Sequence, residues 1–289
     1  MYLCPMKYRI CFPVLLILLI SLGSCHFQKI LKSGTIDEKY DKAMKLYQDK
    51  DYSRALQLFD QLINVVRASD KSQKIYYYYA YCYYYQKDYT LGSYYFKRYT
   101  NNFPNTTEAE ECFYMSAYCN FMNSPEYTLD QENTYEALKD LQLFVNTYPT
   151  SKRVPECNEL IDKLREKLES KDFRIAKMYY RMEDYAAAVQ CFNNILKEFP
   201  ESKHKEELLF LIVKSYHKFA KESIEDKKKD RHTKTIQAYN EFVSQYPESQ
   251  FIDEAKDLKA KSQKELEIIM EKDQKKLNQI NQQPNKSSH

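Results

Sequence analysis

The sequence predicts an all-α fold, and three observations support this prediction. Only three of the 289 residues are glycine, whereas an average chain of this length has roughly twenty. Tight β-turns and phosphate-binding loops depend on glycine, so β-sheet folds and glycine-rich nucleotide sites are excluded. Hydrophobic residues make up 43% of the chain, including 28 tyrosines and 15 phenylalanines, which is enough for a core. Finally, an aromatic residue followed by proline recurs along the chain at positions expected for the ends of helices.

The charge balance argues against nucleic acid as a partner. Lysine and arginine together number 44, aspartate and glutamate 41, and the net charge is +3. Removal of residues 1–24, which contain Lys7 and Arg9 but no acid, would lower the net charge from +3 by two, to +1. Nucleic-acid binding requires a strong basic excess on one face, and this composition has none.

Residues 1–24 have the pattern of a cleaved export signal. Lys7 and Arg9 precede an apolar run from Ile10 to Leu22. A run of about 13 residues is too short for a membrane-spanning helix, which needs about 20, but is typical of a signal peptide.

The apolar run ends in Leu22, Gly23, Ser24 and Cys25, which resembles a bacterial lipobox. Small residues before the cysteine admit a peptidase, and the cysteine thiol accepts diacylglycerol. We therefore expect Cys25 to become a lipidated N-terminus and residues 25–34 to form a tether. Apart from this covalent lipid, we expect no cofactor and no metal. An ordinary signal peptide or anchor with a chance cysteine is the alternative. Acyl chains would hold the protein on a membrane of the bacterial envelope.

The body of the chain contains a repeat whose copies end alike. The four endings are Phe103-Pro104-Asn105-Thr106, Tyr148-Pro149-Thr150-Ser151, Phe199-Pro200-Glu201-Ser202 and Tyr246-Pro247-Glu248-Ser249. Proline stops one helix, and the serine or threonine caps the next. Eight residues before each proline stands a large apolar residue: Phe96, Leu141, Phe192 and Tyr239. Four residues earlier stand Gly92, Ala137, Ala188 and Thr235, of which the first three suit close helix contacts.

An acid-tyrosine turn marks the middle of three copies. The turns are Asp51-Tyr52, Asp88-Tyr89 and Asp184-Tyr185, and the first belongs to a copy without a closing proline. The resulting five copies resemble tetratricopeptide repeats, which are stacked helical hairpins. The predicted fold is a right-handed α-solenoid of about five such hairpins over residues 35–264, followed by a helical extension and disordered tail at 265–289.

Segments beyond the usual repeat length are predicted as insertions or added helix. Residues 124–133 interrupt the third copy, and residues 221–231 interrupt the fifth. Residues 154–168 form an additional or extended helix between the third and fourth copies.

Two stretches add a closer resemblance to the BamD family. The first stretch consists of Leu129-Asp130-Gln131, Thr134-Tyr135-Glu136-Ala137-Leu138 and Phe144-Val145-Asn146-Thr147-Tyr148-Pro149-Thr150-Ser151. The second stretch consists of Arg174-Ile175-Ala176-Lys177-Met178-Tyr179-Tyr180, Tyr185-Ala186-Ala187-Ala188 and Phe199-Pro200-Glu201-Ser202. They resemble the third and fourth repeats of that family, and the likeness covers roughly residues 25 to 260. The chain departs from it in the tyrosine-rich segment Tyr76 to Tyr85 and in the C-terminal tail.

The resemblance implies a non-catalytic lipoprotein of the outer membrane that faces the periplasm within a β-barrel assembly complex. It implies scaffolding of a barrel-forming subunit with periplasmic domains, contact with other assembly lipoproteins, and recognition of unfolded outer-membrane proteins. A runner-up is another envelope scaffold built on these repeats, such as a coordinator of the cell wall or of division.

The first helix of each hairpin lines the concave face in this class of repeat. Aligning Tyr89 with the family's turn tyrosine predicts an aromatic peptide groove lined by Tyr40, Tyr47, Tyr77, Tyr78, Tyr81, Tyr84, Tyr114, Tyr118 and Phe121. Tyrosine offers a large contact area at low entropic cost, with hydroxyls for a peptide backbone. The alternative is that these tyrosines merely fill the core. Lys227, Lys228, Lys229 and Arg231 are candidate contacts for the barrel subunit, or a solvated charged loop.

An enzyme is the least supported class. A wall-degrading hydrolase or transglycosylase would need a catalytic cleft and a second domain, and no segment is left for that domain. The histidines at 204, 217 and 232 are scattered without metal-ligand spacing, and acid pairs such as Glu206-Glu207 are interpreted as solvated helix faces.

The lipobox prediction is tested by Cys25→Ser. Because the serine hydroxyl does not accept the lipid, we expect an unlipidated precursor that keeps residues 1–24. Metabolic labelling with palmitate and mass measurement of the N-terminus would show this. Normal acylation of the variant would refute the assignment.

Overall fold

The computed structural model describes residues 26–66 and 70–281, and every regular element in those two ranges is an α-helix. Residues 26–33 form α1. The others are α2 (Ile36–Gln48), α3 (Tyr52–Ile63), α4 (Asp70–Tyr85), α5 (Tyr89–Asn102), α6 (Ala109–Asn123), α7 (Glu132–Thr147), α8 (Val154–Arg181), α9 (Tyr185–Glu198), α10 (Lys205–Lys221), α11 (Glu225–Gln245) and α12 (Ile252–Asn281). Successive helices pair into tetratricopeptide-like hairpins, and the predicted all-α solenoid is confirmed.

The helices divide between two compact units. Unit 1 is Met1–Leu164 and unit 2 is Arg165–His289. The boundary falls inside α8, because the predicted extended helix at 154–168 runs without a break into the first helix of the fourth repeat. The predicted border between a repeat domain and an extension at 264 likewise falls inside α12.

The N-terminal segment differs from the predicted tether. The signal peptide and lipobox, including Cys25, lie outside the described residues. Residues 26–33 are helical, and Phe27 is only 3% exposed beneath the Arg54 guanidinium, 5.7 Å from its ring centroid. Residues 26–33 are therefore part of the folded structure rather than a tether before it, because Phe27 packs into the core of unit 1.

The acid-tyrosine turns work without glycine. Each aspartate accepts a hydrogen bond from a backbone N–H in the first turn of the next helix: Asp51 from Arg54 (3.2 Å), Asp88 from Leu91 (3.1 Å) and Asp184 from Ala187 (3.1 Å). The residue before each aspartate has a positive φ: 60° at Lys50, 63° at Lys87 and 65° at Glu183. The left-handed conformation usually favours glycine, so the chain accepts local backbone strain at these turns.

The serine of the aromatic-proline motif makes two contacts that recur. Its Oγ accepts a backbone N–H two residues later, at Arg153, His204 and Phe251. The same hydroxyl donates to a glutamate carboxylate of the preceding first helix. These bonds are Ser151 to Glu110 (2.5 Å) in unit 1, and Ser202 to Glu169 (2.5 Å) and Ser249 to Glu206 (2.6 Å) in unit 2. Each serine thus lies three residues before a helix and links it to the previous hairpin. The predicted cap by Ser202 is wrong, because His204 is the N-cap residue of α10.

The predicted core positions are buried as expected. Phe96, Leu141 and Phe192 are fully buried, and Tyr239 is nearly so. At Gly92, an added Cβ would lie 3.2 Å from the Cys119 sulfur, so a larger residue would crowd α6. The cysteines at 82, 112, 119 and 157 are free and buried, while Cys191 is half-buried.

The predicted insertion at 124–133 is an ordered connection between α6 and α7. The buried Gln131 amide donates to the backbone carbonyls of Glu126 and Leu129, each at 2.9 Å. Its side-chain oxygen accepts from the Thr134 hydroxyl at 2.7 Å. Gln131 therefore organises the loop that contains the Asp-Gln pair of the family resemblance.

Two predictions about charged segments need correction. Residues 221–231 do not form a loop, because α11 begins at Glu225 and most of the segment is helical. The Glu206-Glu207 pair is not a freely solvated face, since Glu206 accepts from Ser249 and Glu207 pairs with Lys177 at 2.9 Å. Across the residues placed in the structure, no helix combines the length and apolarity needed to cross a membrane.

The serine link predicts a stability change for Ser202→Ala. The variant loses the bond from the His204 N–H, just before α10, and the bond to Glu169, so the free energy of unfolding should fall by about 1–2 kcal/mol. Urea denaturation followed by circular dichroism measures this. Ser244→Ala is the matched control, because that hydroxyl bonds only to the Glu241 carbonyl within its own helix. Equal effects of the two substitutions would contradict the proposed link.

Candidate functional site

An aromatic row runs across the first helices of unit 1. Neighbouring ring centroids are separated by 4.8 Å for Tyr47 and Tyr78, 5.3 Å for Tyr78 and Tyr77, and 4.8 Å for Tyr77 and Tyr81. The row continues from Tyr81 to Tyr84 and from Tyr84 to Tyr118, with centroids 6.3 Å apart in both pairs. The Tyr118 ring then contacts Tyr114 at 5.8 Å and Phe121 at 6.0 Å. Eight of the nine predicted groove residues thus form one continuous set of ring contacts, called the aromatic row below.

The ninth residue, Tyr40, lies on α2 beneath the Lys71 ammonium, 5.8 Å from the ring centroid. Lys71 also pairs with Asp37 at 2.5 Å. A charged side chain therefore covers this tyrosine, which makes it a weaker candidate for stacking with a ligand.

Two members of the aromatic row are buried, which corrects their predicted role. Tyr81 is 8% exposed and Tyr114 is 3% exposed, whereas the other members keep part of each ring at the surface. Tyr81 is covered because its ring meets Phe96 edge-on at 4.9 Å and its hydroxyl donates to Glu111 at 2.6 Å. These two tyrosines support the row from beneath and offer little ligand-contact surface.

The repeat alignment that gives the groove also predicts that the opposite face of α4, with Tyr76, Tyr79, Ala80 and Tyr83, packs into the core. Tyr76, Tyr79 and Ala80 are buried, and Tyr83 is half-buried. The Tyr79 hydroxyl donates to Asp60 at 2.8 Å, and the Tyr83 and Tyr95 rings stack at 5.3 Å. The tyrosine-rich helix therefore serves packing on one side and the aromatic row on the other.

A charged group borders the aromatic row near Tyr114. The Arg153 guanidinium lies 4.2 Å from the Tyr114 ring centroid. It also approaches Glu111 at 3.7 Å and Glu156 at 3.9 Å. Arginine combines charge with a flat surface, so this residue could pair with a carboxylate of a bound chain.

Burial raises the pKa of four tyrosine hydroxyls of the row. Desolvation raises the pKa of Tyr77 to about 12, and it also raises the pKa values of Tyr47, Tyr81 and Tyr114. These groups remain phenols at neutral pH, able to donate and accept hydrogen bonds. The row therefore combines aromatic ring faces with hydroxyls that have both hydrogen-bonding roles.

Sequence reasoning missed the contributions of Tyr52 and Arg153 to this surface. Tyr52, assigned only to a turn, stacks on Tyr85 at 4.7 Å between centroids. Arg153 lies just after the Tyr148-Pro149-Thr150-Ser151 ending. Its position in the sequence could have indicated this role, because residues directly after this ending lie at the start of the next first helix.

The four basic candidates for partner contact differ in the contacts that their side chains already make within the protein. The Arg231 guanidinium lies 3.5 Å from the Phe219 ring centroid and donates to the Ser223 hydroxyl, so it belongs to the α10–α11 hairpin. Lys228 pairs with Glu225 at 2.6 Å, and Lys229 approaches Asp273 at 3.8 Å. Arg231 is therefore withdrawn as a free contact, while Lys227, Lys228 and Lys229 stay candidates on α11.

Two of the scattered histidines meet in unit 2. The rings of His217 and His232 are 6.2 Å apart, and His217 Nδ1 lies 2.9 Å from the Ser262 hydroxyl. Burial lowers the pKa of both imidazoles, which favours their neutral forms. Among residues 26–66 and 70–281, no cluster of three or more histidine, cysteine, aspartate or glutamate side chains could hold a metal.

The fold defines the class of the chain, which is a tetratricopeptide-like repeat protein. The chain belongs to the YfiO family of outer membrane lipoproteins, whose pattern matches residues 33–232.

Curated relatives agree with this family. A putative outer membrane protein assembly factor BamD from Aquifex aeolicus is 25% identical over 211 residues, covering 72% of this chain and 69% of the relative. The BamD of Caulobacter vibrioides is 24% identical, covering 57% of this chain and 54% of the relative. The BamD of Rickettsia prowazekii is 21% identical, covering 73% of this chain and 85% of the relative.

Solved structures give only a loose likeness. The tetratricopeptide domain of P58(IPK) aligns with 89% of this chain and 69% of that chain, with 15% identity and a TM-score of 0.38. The kinesin-light-chain-like repeats of Podosopora anserina align with 79% of this chain and 96% of that chain, with 12% identity and a TM-score of 0.31. Scores this low support no argument about function.

Proposed function

We propose that the chain is a non-catalytic lipoprotein of the outer-membrane β-barrel assembly complex. In this proposal it is anchored by a lipid on Cys25, faces the periplasm, scaffolds the barrel-forming subunit and recognises unfolded outer-membrane proteins. Family membership and the names of the relatives, outer membrane protein assembly factors, support the general role. The aromatic row supports the finer role in substrate recognition.

The aromatic row fits an unfolded barrel segment for a physical reason. Such segments alternate apolar and polar side chains and are rich in aromatics near the membrane interface. Partly exposed rings of Tyr47, Tyr77, Tyr78, Tyr84 and Tyr118 would stack on those side chains. Neutral hydroxyls would meet the unpaired peptide backbone, and the Arg153 guanidinium would meet a terminal carboxylate.

We place the scaffold role in unit 2. The exposed lysines of α11 and the charged surface of α12 are candidates for contact with a periplasmic domain of the barrel subunit or with other assembly lipoproteins. Their role rests on exposure and charge, so it is less specific than that of the row.

Affinity purification separates the proposed complex from its alternative. The tagged full chain, extracted from envelopes in mild detergent, should recover a large outer-membrane barrel with repeated periplasmic domains. Recovery of wall-synthesis or division proteins without that barrel would favour the envelope-scaffold alternative. Release of wall fragments by the purified mature protein would instead support a hydrolase.

Substrate recognition is tested by Tyr77→Ala combined with Tyr118→Ala. Both side chains are half-buried members of the row, and truncation of an aromatic contact commonly costs more than about 1 kcal/mol. Affinity for peptides from the C-terminal strands of barrel proteins should fall about tenfold or more, measured by fluorescence anisotropy.

Tyr94→Ala is the matched control, because Tyr94 is 55% exposed on α5 and contributes no ring to the row. Its peptide affinity should equal that of the unmodified protein. Unchanged affinity of the double variant, with helicity intact by circular dichroism, would remove the aromatic row from the proposal.

A further inference from the structure

A polar pocket of about 310 Å³ opens among α5, α6 and α7 of unit 1. It lies on a different face of α6 from Tyr118 and Phe121. Its lining consists of Thr90, Ser93, Tyr94, Lys97, Asn120, Asn123, Asn133, Glu136, Lys139 and Asp140. Nine of these ten residues are polar without an aromatic ring, and none belongs to the aromatic row.

A buried carboxylate organises the pocket. Asp140 is 8% exposed, and its Oδ2 accepts from the Asn120 amide at 2.7 Å. Its Oδ1 lies 3.7 Å from the Lys97 ammonium. Burial of a carboxylate is costly, and an apolar residue of similar size would often be at least as stable. Asp140 instead fixes the positions of an amide and an ammonium group that face the pocket.

The rest of the lining mixes donors with acceptors. The Asn123 amide donates to the Thr90 hydroxyl at 3.2 Å, joining α6 to α5. Asn133 supplies another amide, and the ammonium groups of Lys97 and Lys139 balance the carboxylates of Glu136 and Asp140. The formal charges of the lining therefore sum to zero.

This arrangement matches the chemistry of an uncharged sugar. The amide and ammonium groups of the lining donate hydrogen bonds, and its carboxylates accept them. Each sugar hydroxyl can both donate and accept, so it can bond to either kind of group. The ring of Tyr94, 55% exposed, offers an apolar face for the C–H side of a sugar ring. The volume lies at the small end of the roughly 300–1,000 Å³ range of ligand sites. A peptide would need apolar recesses for its side chains, and Tyr94 is the only ring in this lining.

We propose that this pocket binds an uncharged saccharide unit of the size of a hexose or an N-acetylhexosamine. Binding here is separate from the aromatic row, so the protein would hold a polysaccharide on one face while a peptide occupies the other.

The test uses the lipid-free mature full chain with triacetylchitotriose and maltotriose as probes. Saturation-transfer NMR should detect binding of at least one trisaccharide, and titration should give its dissociation constant. Tyr94→Ala and Asn123→Ala should each raise that constant about tenfold, as expected for loss of one ring or hydrogen-bonded contact. Tyr135→Ala is the matched control, a 52% exposed tyrosine on α7 outside the lining.

Three results would overturn the proposal. These are no binding of either trisaccharide, binding that both variants leave unchanged, and binding of an uncharged blocked peptide such as acetyl-Asn-Asn-Asn amide in place of the sugars. Circular dichroism confirms folding, and the exposure of Tyr94 makes its truncation safe for the fold. Barrel-peptide affinity should not change in Tyr94→Ala, so failure here would leave the assembly role intact.

Discussion

The hydrogen bond from a repeat-end serine to a glutamate of the preceding first helix is the constraint that attaches α8, α10 and α12 to the hairpins before them. The bond joins Ser151 to Glu110 in unit 1. In unit 2 it joins Ser202 to Glu169 and Ser249 to Glu206. Because the same hydroxyl also accepts a backbone N–H, the start of each helix and its attachment to the previous hairpin are set together. A chain with so few glycines needs such side-chain control of its turns.

Other contacts bring the tyrosines of separate first helices into one surface. Lys71 of α4 pairs with Asp37 of α2, and Tyr81 of α4 donates to Glu111 of α6. Tyr47 of α2, Tyr78 and Tyr84 of α4, and Tyr118 of α6 thereby fall within ring-contact distance. Buried Tyr81 and Tyr114 support the partly exposed members from below. The abundance of tyrosine therefore has two physical uses, packing and presentation, because the phenol ring tolerates both an apolar and a polar neighbour.

Unit 1 presents two surfaces of opposite chemistry. The aromatic row offers rings and neutral hydroxyls, while the pocket around Asp140 offers amides and balanced charges. Helices α2, α4 and α6 supply the row, whereas α5 and α7 supply the pocket walls together with two asparagines on another face of α6. A hairpin repeat allows this division because its first and second helices expose separate faces.

The sequence by itself determined the all-α class, the hairpins, the acid-tyrosine turns and the small residues at close helix contacts, because these follow from local propensity and helical periodicity. Alignment with the family's repeat also assigned Tyr76, Tyr79 and Ala80 to the core, where they are buried. Only the tertiary structure decided that Tyr81 and Tyr114 are covered, since periodicity gives the direction of a side chain but not the extent of its cover. Tertiary structure alone likewise brought Arg153 to Tyr114 and Asp140 to Lys97, pairs separated by about forty residues in the chain.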